Sequence, residues 1–344
     1  MYFIKPKFWD KKNNTFLSIL LYPLSIIYYL ISIIRKKTTI TQKFSIPIIC
    51  VGNIYVGGTG KTSAAIEIAK ILNQSKKACF LTKGYGRKSK KDIYLNELNT
   101  PNQNSEDTGD EALLLNKFGH VYISNNRVKA INSIIKLGYH VIILDDGFQD
   151  HQIFKNLNIL CFDSKNWVGN KNLIPSGPLR EPLSSIKKAN FVIIKGEKNQ
   201  IIEKEIKTIN PSINIIYARN KIENIETLKN KNFIAFTGIG NPYSFFNTLL
   251  DNNIKIVKQI IYPDHFQFTE KTYKVLSQEA ENNKCSLLTT EKDYVRINNQ
   301  FKEKIYYTKL NTLLIEKESL EKEDRKSTRL NSSHVSESRM PSSA

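Results

Sequence analysis

The stretch Ile46-Pro47-Ile48-Ile49-Cys50-Val51-Gly52-Asn53-Ile54-Tyr55-Val56-Gly57-Gly58-Thr59-Gly60-Lys61-Thr62-Ser63 decides the fold. Its apolar opening predicts a buried strand. A glycine-rich turn and Lys-Thr follow. Ala64, Ala65, Ile66, Ile68, Ala69, Ile71 and Leu72 then recur at helical spacing. Strand, glycine loop, Lys-Thr and helix form the order of a phosphate-binding loop. Glycines let backbone N–H groups close around phosphate oxygens, and the helix N-terminus adds positive potential. Tyr55, Val56, Gly57, Gly58, Thr59, Gly60, Lys61 and Thr62 are therefore the candidate nucleotide-binding residues. Lys61 would reach the terminal phosphates, and the Thr62 hydroxyl would ligate magnesium. The match to G-x-x-x-x-G-K-[ST] lacks its first glycine, whose place Tyr55 takes.

Downstream, strands and helices alternate. Lys77–Thr82 predicts a second strand that runs into Lys83-Gly84-Tyr85-Gly86-Arg87-Lys88. That turn is either an ordinary basic surface turn or a set of basic groups at a strand's carboxyl end, where doubly wound sheets bind ligands. Residues 88–106 are polar and read as a loop. Asp107-Thr108-Gly109-Asp110-Glu111 opens an apolar helix. Its carboxylates are either N-terminal caps or groups that hold magnesium or take a proton from a hydroxyl; both readings stay open. Val141-Ile142-Ile143-Leu144 ends in Asp145-Asp146, the form of a Walker-B strand, which sets a carboxylate beside the nucleotide's magnesium. Pro175-Ser176-Gly177-Pro178-Leu179-Arg180-Glu181-Pro182 cannot be regular helix or central strand and would hold Arg180 on a stiff loop.

The expected fold is α/β: a P-loop NTPase-like, mostly parallel sheet with helices on both faces, a smaller C-terminal α/β lobe and an N-terminal apolar helix. The expected divisions are residues 1–40 as a membrane-associating helix, 41–222 as the P-loop domain and 223–325 as the smaller lobe. The Ser-rich tail 326–344 reads as a non-native addition.

Residues 15–34 carry no charge, while Lys11, Lys12, Arg35, Lys36 and Lys37 flank them. Three readings stand: an interfacial anchor helix, which the basic flanks favour, a single span, or a helix buried on the domain. Pro23 and three serines weaken the span. Over 344 residues, 40% apolar and 24% charged is a globular profile that excludes a disordered chain. The net charge of +19 favours an anionic partner: nucleic acid, an acidic membrane surface or a phosphorylated substrate. Cys50, Cys79, Cys161 and Cys285 lie in apolar runs without C-x-x-C spacing and read as buried free thiols.

Several motifs occur together and in order. They are Val51-Gly52-Asn53, Val56–Thr62, Gly84-Tyr85-Gly86-Arg87, Gly109-Asp110-Glu111, Asp145-Asp146-Gly147-Phe148-Gln149 and Gly177-Pro178-Leu179-Arg180-Glu181-Pro182. Phe236-Thr237-Gly238-Ile239-Gly240-Asn241-Pro242, Pro263-Asp264-His265 and Thr290-Glu291-Lys292-Asp293 follow. Over roughly residues 8–300 this set resembles the tetraacyldisaccharide 4'-kinases, the lipid A 4'-kinases of Gram-negative bacteria. Phosphate loops of that family also lack the first glycine.

The resemblance implies a kinase that passes the γ-phosphate of ATP, with Mg2+, to the 4'-hydroxyl of a tetraacyldisaccharide 1-phosphate. It places the protein at the cytoplasmic face of the inner membrane, with no nucleic acid as partner. It implies Asp110 as catalytic carboxylate with His265 as its partner, Asp145 and Asp146 as Walker-B carboxylates, and Glu111 near the metal. Lys61 would offset charge on the transferring group, and Arg87 and Arg180 would face the substrate's 1-phosphate. The alternatives are a membrane-recruited P-loop ATPase of the partitioning or metallochaperone type and a non-enzymatic nucleotide-gated tether. The first usually carries a lysine just before the glycine pair, where this chain has Val56.

Overall fold

Neighbouring residues of β1 (Ile48–Gly52) point into different cores. Ile48 and Cys50 join one buried cluster, Ile49 and Val51 another, as the two-residue period of a strand requires. Both faces are therefore covered, and the strand reads as a continuous apolar run. The structure is a computed structural model that describes residues 5–73, 76–96, 105–240, 242–264 and 266–315.

In chain order, α1 (Phe16–Thr38) precedes β1, and α2 (Lys61–Leu72) follows the phosphate loop. Next come β2 (Ala78–Thr82), β3 (Ile93–Leu95), α3 (Ser105–Thr108), α4 (Asp110–Asn116), β4 (His120–Ile123), α5 (Arg127–Lys136), β5 (Val141–Asp145), β6 (Leu157–Asp163) and β7 (Phe191–Lys195). The segment α6 (Gln200–Ile209) and β8 (Asn214–Ile222) completes the forward run of the first lobe. Eight strands of the large sheet run in the order β8-β7-β6-β1-β5-β2-β4-β3, parallel except for β3. The residues α2 and α4 bury pack on one face, and those of α5 and α6 on the other.

The second lobe begins with α7 (Ile225–Leu228) and β9 (Asn232–Thr237). It continues with α8 (Pro242–Asp251), β10 (Lys255–Ile261), α9 (Glu270–Asn282), β11 (Ser286–Thr290), α10 (Glu291–Tyr294), α11 (Asn299–Lys302) and β12 (Ile305–Thr308). Its parallel sheet runs β10-β9-β11-β12. Phe233 and Ala235 face α8, while Ile234 and Phe236 face α9.

Two expectations need amending. Residues 88–106 are not all loop, because β3 pairs antiparallel with β4 and α3 begins at Ser105. Residues 223–325 do not all belong to the smaller lobe either. After β12 the chain crosses back as β13 (Leu310–Ile315) and pairs antiparallel with β8. Pairing covers the edge β8 would otherwise leave with unmet N–H and C=O groups. Of the four free cysteines, Cys50, Cys79 and Cys161 are buried; Cys285 is only partly so.

The helix α1 docks by its polar residues. Ser18, Leu21, Ser25, Tyr28 and Ser32 recur at three- and four-residue steps and form one stripe. Ser25 Oγ donates to the Leu173 carbonyl at 2.8 Å and accepts from Ser176 N–H at 3.0 Å. Asn170 donates to Ser18 Oγ, the Ser176 hydroxyl to the Ser18 carbonyl, and the Tyr28 hydroxyl to the Arg180 carbonyl. Leu20, Leu24, Ile27, Leu30, Ile31 and Ile34, with six more large apolar side chains of α1, face outward. The reading of a helix buried on the domain therefore fails. Two of the three serines that weakened the span, Ser18 and Ser25, are docking groups.

Ser25→Ala leaves the buried Ser176 N–H without its partner and the Leu173 carbonyl with only its bond from Gly177 N–H. The expected cost is about 1–3 kcal/mol of stability, measured by denaturant unfolding in detergent, with Ile27→Ala near neutral under the same conditions.

Candidate active site

Parallel strands deliver their carboxyl ends to one edge, and the charged residues collect there. The register of β1 and β5 sets Val51 opposite Asp145, so the phosphate loop starts beside the Walker-B pair. Gly60, with φ +82°, caps α2 in the left-handed region that glycine favours. Asn53, fully buried, braces the loop. It donates to Thr59 Oγ1 at 2.8 Å and to the Gly57 carbonyl, and its own carbonyl accepts from Gln149. Lys61 Nζ lies 3.3 Å from Asn53 Oδ1 and 3.2 Å from Asp146 Oδ1. Thr62 follows as the second residue of α2, half-buried.

The two Walker-B carboxylates have opposite environments. Arg180 grips Asp146 with two N–H groups, each at 3.1 Å, and also donates to Asn53 Oδ1. Burial alone would raise Asp146, but Lys61 and Arg180 outweigh it and hold the carboxyl down at about 2. Asp145 is 1% exposed, and its Oδ1 has no hydrogen-bond partner among the described residues. Burial, then the charge of Glu111, pushes it up to about 7. Arg127, itself buried, fixes the Asp145 backbone by donating to its carbonyl at 2.8 Å.

The Tyr55 ring lies against Gly57 of its own loop and reaches past it to the N-terminal segment. Its hydroxyl donates to Asp10 at 2.6 Å and accepts from Lys5. Its backbone pairs with Leu179, and Val56 N–H donates to the Pro178 carbonyl. The phosphate loop is thus stitched to the same 170–180 segment on which α1 docks.

Opposite this wall stands Asp110, the first residue of α4. Two glycines bring its motif to the basic turn. A methyl on Gly84 would lie 2.6 Å from the Thr108 carbonyl oxygen, and one on Gly109 would lie 3.0 Å from that of Tyr85. Both have positive φ. Arg87, at the end of this turn, donates to the Lys91 carbonyl, while its Nε and Nη2 are buried without partners among the described residues. From the second lobe, Lys292 Nζ sits 2.9 Å from Glu111 Oε1 and 3.7 Å from Asp110 Oδ2. The Lys292 charge holds the Glu111 carboxyl below its ordinary range. Arg296 Nε donates to Asp110 Oδ2 at 3.1 Å. Lys61 and Lys292 both act on Glu111, and Glu111 acts on Asp145, so the two walls share one electrostatic site.

His265 lies outside the described residues. Thr62, Glu111, Asp145 and Asp146 do not close into a metal cage: among the described residues, no three His, Cys, Asp or Glu side chains are grouped to hold an ion. A nucleotide-bound Mg2+ needs only one or two protein carboxylates, since phosphates and waters fill the rest of its octahedron. The orphaned Asp145 oxygen fits that demand. Sequence reasoning assigned no role to Asn53, Lys292 or Asp293, although all three lie in the quoted motifs. It missed Arg296, whose signal is its place three residues after Asp293 in Thr290-Glu291-Lys292-Asp293-x-x-Arg296.

Strand order and phosphate loop define a two-lobed protein of the P-loop NTPase-like class. The profile of one family, described as tetraacyldisaccharide-1-P 4'-kinase, matches residues 17–327. The chain is 41% identical over 309 residues to the tetraacyldisaccharide 4'-kinase of Pelagibacter ubique, covering 89% of this chain and 92% of that one. It is 36% identical to the enzyme of that name from Rickettsia canadensis, covering 85% and 87%. The crystal structure of LpxK from Aquifex aeolicus in complex with ATP superposes with a TM-score of 0.73 at 28% identity, covering 90% of this chain and 99% of that one. The chain belongs to the tetraacyldisaccharide-1-P 4'-kinase family.

In metal-free protein Asp145 keeps its proton up to about pH 7, whereas in an unfolded chain it ionises near about 4. The folded state then binds the extra proton, so this contribution to stability is full below about pH 4 and is lost as pH rises to about 7. Asp145→Asn is expected to stabilise the EDTA-treated protein more at pH 8 than at pH 4, by on the order of 1–3 kcal/mol. Equal effects in urea titrations at both pH values would contradict the assignment.

Proposed function

We propose that this protein is a membrane-associated kinase that transfers the γ-phosphate of ATP to the 4'-hydroxyl of tetraacyldisaccharide 1-phosphate in lipid A biosynthesis. The observation that carries the residue assignments is the shared site of Lys61, Asp145, Glu111 and Asp110, built from both sides of one strand edge. A sugar hydroxyl is a weak nucleophile. Asp110 accepts its proton as the oxygen attacks the γ-phosphorus and the bond to the bridging oxygen of ADP breaks. Lys61, released from Asp146 and Asn53 when nucleotide enters, offsets charge on the transferring group. His265 remains the proposed partner of Asp110.

Mg2+ would be held by Asp145 and Thr62, with Glu111 nearby; when bound it neutralises the phosphate oxygens. Asp146 is forked by Arg180, which supports Asp145 as the metal carboxylate. Arg87 is the better of the two candidates for the substrate's 1-phosphate, because Arg180 is already forked onto Asp146.

The outward face of α1 supports association with a membrane, which we take to be the inner membrane at its cytoplasmic side. Twelve large apolar side chains of α1 are exposed. Each of its leucines and isoleucines is worth up to about 1.5–3 kcal/mol if fully withdrawn from water. Docking runs from Ser18 to Tyr28 against polar Asn170 and Ser176, a length of about 15 Å. An upright span would carry those polar groups into hydrocarbon, which favours a helix lying in the interface.

The decisive assay combines purified protein, radiolabelled ATP, Mg2+ and tetraacyldisaccharide 1-phosphate in detergent micelles. Asp110→Ala is expected to lose at least about 10²-fold in kcat while ATP binding persists; full activity would remove the proton-acceptor role. Lys61→Ala is expected to weaken both binding and turnover. The triple change Leu20→Asn, Ile27→Asn and Ile31→Asn is expected to shift the protein toward the soluble fraction; unchanged sedimentation with membranes would refute the anchor.

A further inference from the structure

The motif Thr290-Glu291-Lys292-Asp293 is left without a task by the reading above, yet it reaches the reacting carboxylate. Arg296 uses all three arms of its guanidinium. Nε and Nη2 both donate to Asp110 Oδ2, at 3.1 and 2.5 Å. Nη1 donates to Asp293 Oδ1 at 3.0 Å and to the Gly238 carbonyl at 2.9 Å. The side chains involved are sealed from water: Arg296 is 1% exposed, Asp110 4% and Asp293 0%.

Asp293 is itself clamped. Its Oδ2 accepts from Thr237 Oγ1 at 2.6 Å, Thr290 Oγ1 at 2.8 Å and Gly238 N–H at 3.2 Å. Thr237 ends β9, Thr290 ends β11, and α10 begins at the next residue. The guanidinium is thus aimed by the ends of two strands of the second lobe and delivered to the first residue of α4 in the first.

An ion pair for docking alone does not need this burial. Lys117–Glu291 already joins α4 to α10 at 2.7 Å in partial exposure. Withdrawing a charge pair from water is costly, and an apolar pair of similar shape often serves stability as well or better. A guanidinium also has no proton to trade at neutral pH, so it can hold a carboxylate oxygen without entering a proton transfer.

We propose that Arg296 is a positioning residue: it carries the aim of Asp110 from the second lobe, so the proton acceptor is set only while the two lobes are docked. This rests on the reading of Asp110 as proton acceptor.

The test compares Arg296→Gln, Arg296→Lys, Asp110→Asn and the double variant Arg296→Gln/Asp110→Asn in the micellar assay, with thermal melting and ATP binding as folding controls. Arg296→Gln is expected to lower kcat by about 10²-fold with KM for ATP within about threefold. Arg296→Lys, which keeps one charged donor, should recover about tenfold of that loss. In the Asp110→Asn background, Arg296→Gln should change the residual rate by less than about threefold, because its effect passes through Asp110. Unchanged kcat in a destabilised Arg296→Gln, or full additivity with Asp110→Asn, would overturn the proposal. Where Arg296→Gln does not fold, Asp293→Asn loosens the guanidinium without touching Asp110. A kcat loss with little change in KM is then expected, and unaltered kcat would overturn it. Full activity in Asp110→Asn would instead bring down the proton-acceptor reading, a result distinct from any failure of Arg296.

Discussion

The parallel pairing of β1 with β5, Val51 opposite Asp145, is the constraint from which the rest of the site follows. Parallel strands bring every connecting turn of one polarity to one edge. Two strands in register there place a phosphate loop and a carboxylate pair side by side. Coverage of both sheet faces makes the arrangement stiff: residues of β1 and β5 alternate between two packed cores, and a slip of one residue would exchange the cores.

Charge at that edge is divided unequally, and the proposed metal site rests on that division. Asp146 has two cations and stays ionised; Asp145, one residue earlier, is buried with one oxygen unmet among the described residues. Paired and unpaired carboxylates in adjacent positions are the contrast behind the proposal that Asp146 braces Lys61 and Arg180 while Asp145 takes the cation. Asn53 belongs with the brace, because it ties Gly57 and Thr59 of the loop to the same basic pair.

The 170–180 segment connects the proposed membrane contact to the phosphate loop. Ser18, Ser25 and Tyr28 of α1 bond to one side of it; Ile54 and Val56 bond to the other, through Arg180 N–H and the Pro178 carbonyl. A helix that hides its serines and shows its leucines inverts the usual amphipathic rule, and the inversion fits a molecule with lipid on one side and protein on the other.

Much of this was legible in the sequence. The apolar run, glycine turn and Lys-Thr predicted β1, the loop and α2, since those local preferences leave little else to form. Val141–Asp145 was legible for the same reason. The exposed arc of α1 was legible as an apolar stretch, but the role of its serines was not, because periodicity shows a stripe and not what the stripe touches. Asp110 stood in an ambiguous helix start, and Arg296, three residues beyond the Thr290–Asp293 motif, gave no sign of what it would meet. Only the tertiary structure brought them together, across a sequence separation of 186 residues and two lobes. The return of β13 to the large sheet was equally invisible, for an edge strand is chosen by the unpaired edge it meets. Local sequence determined the elements and the chemistry each could carry; the packing of two sheets decided which charges face one another, because burial and distance set their energies.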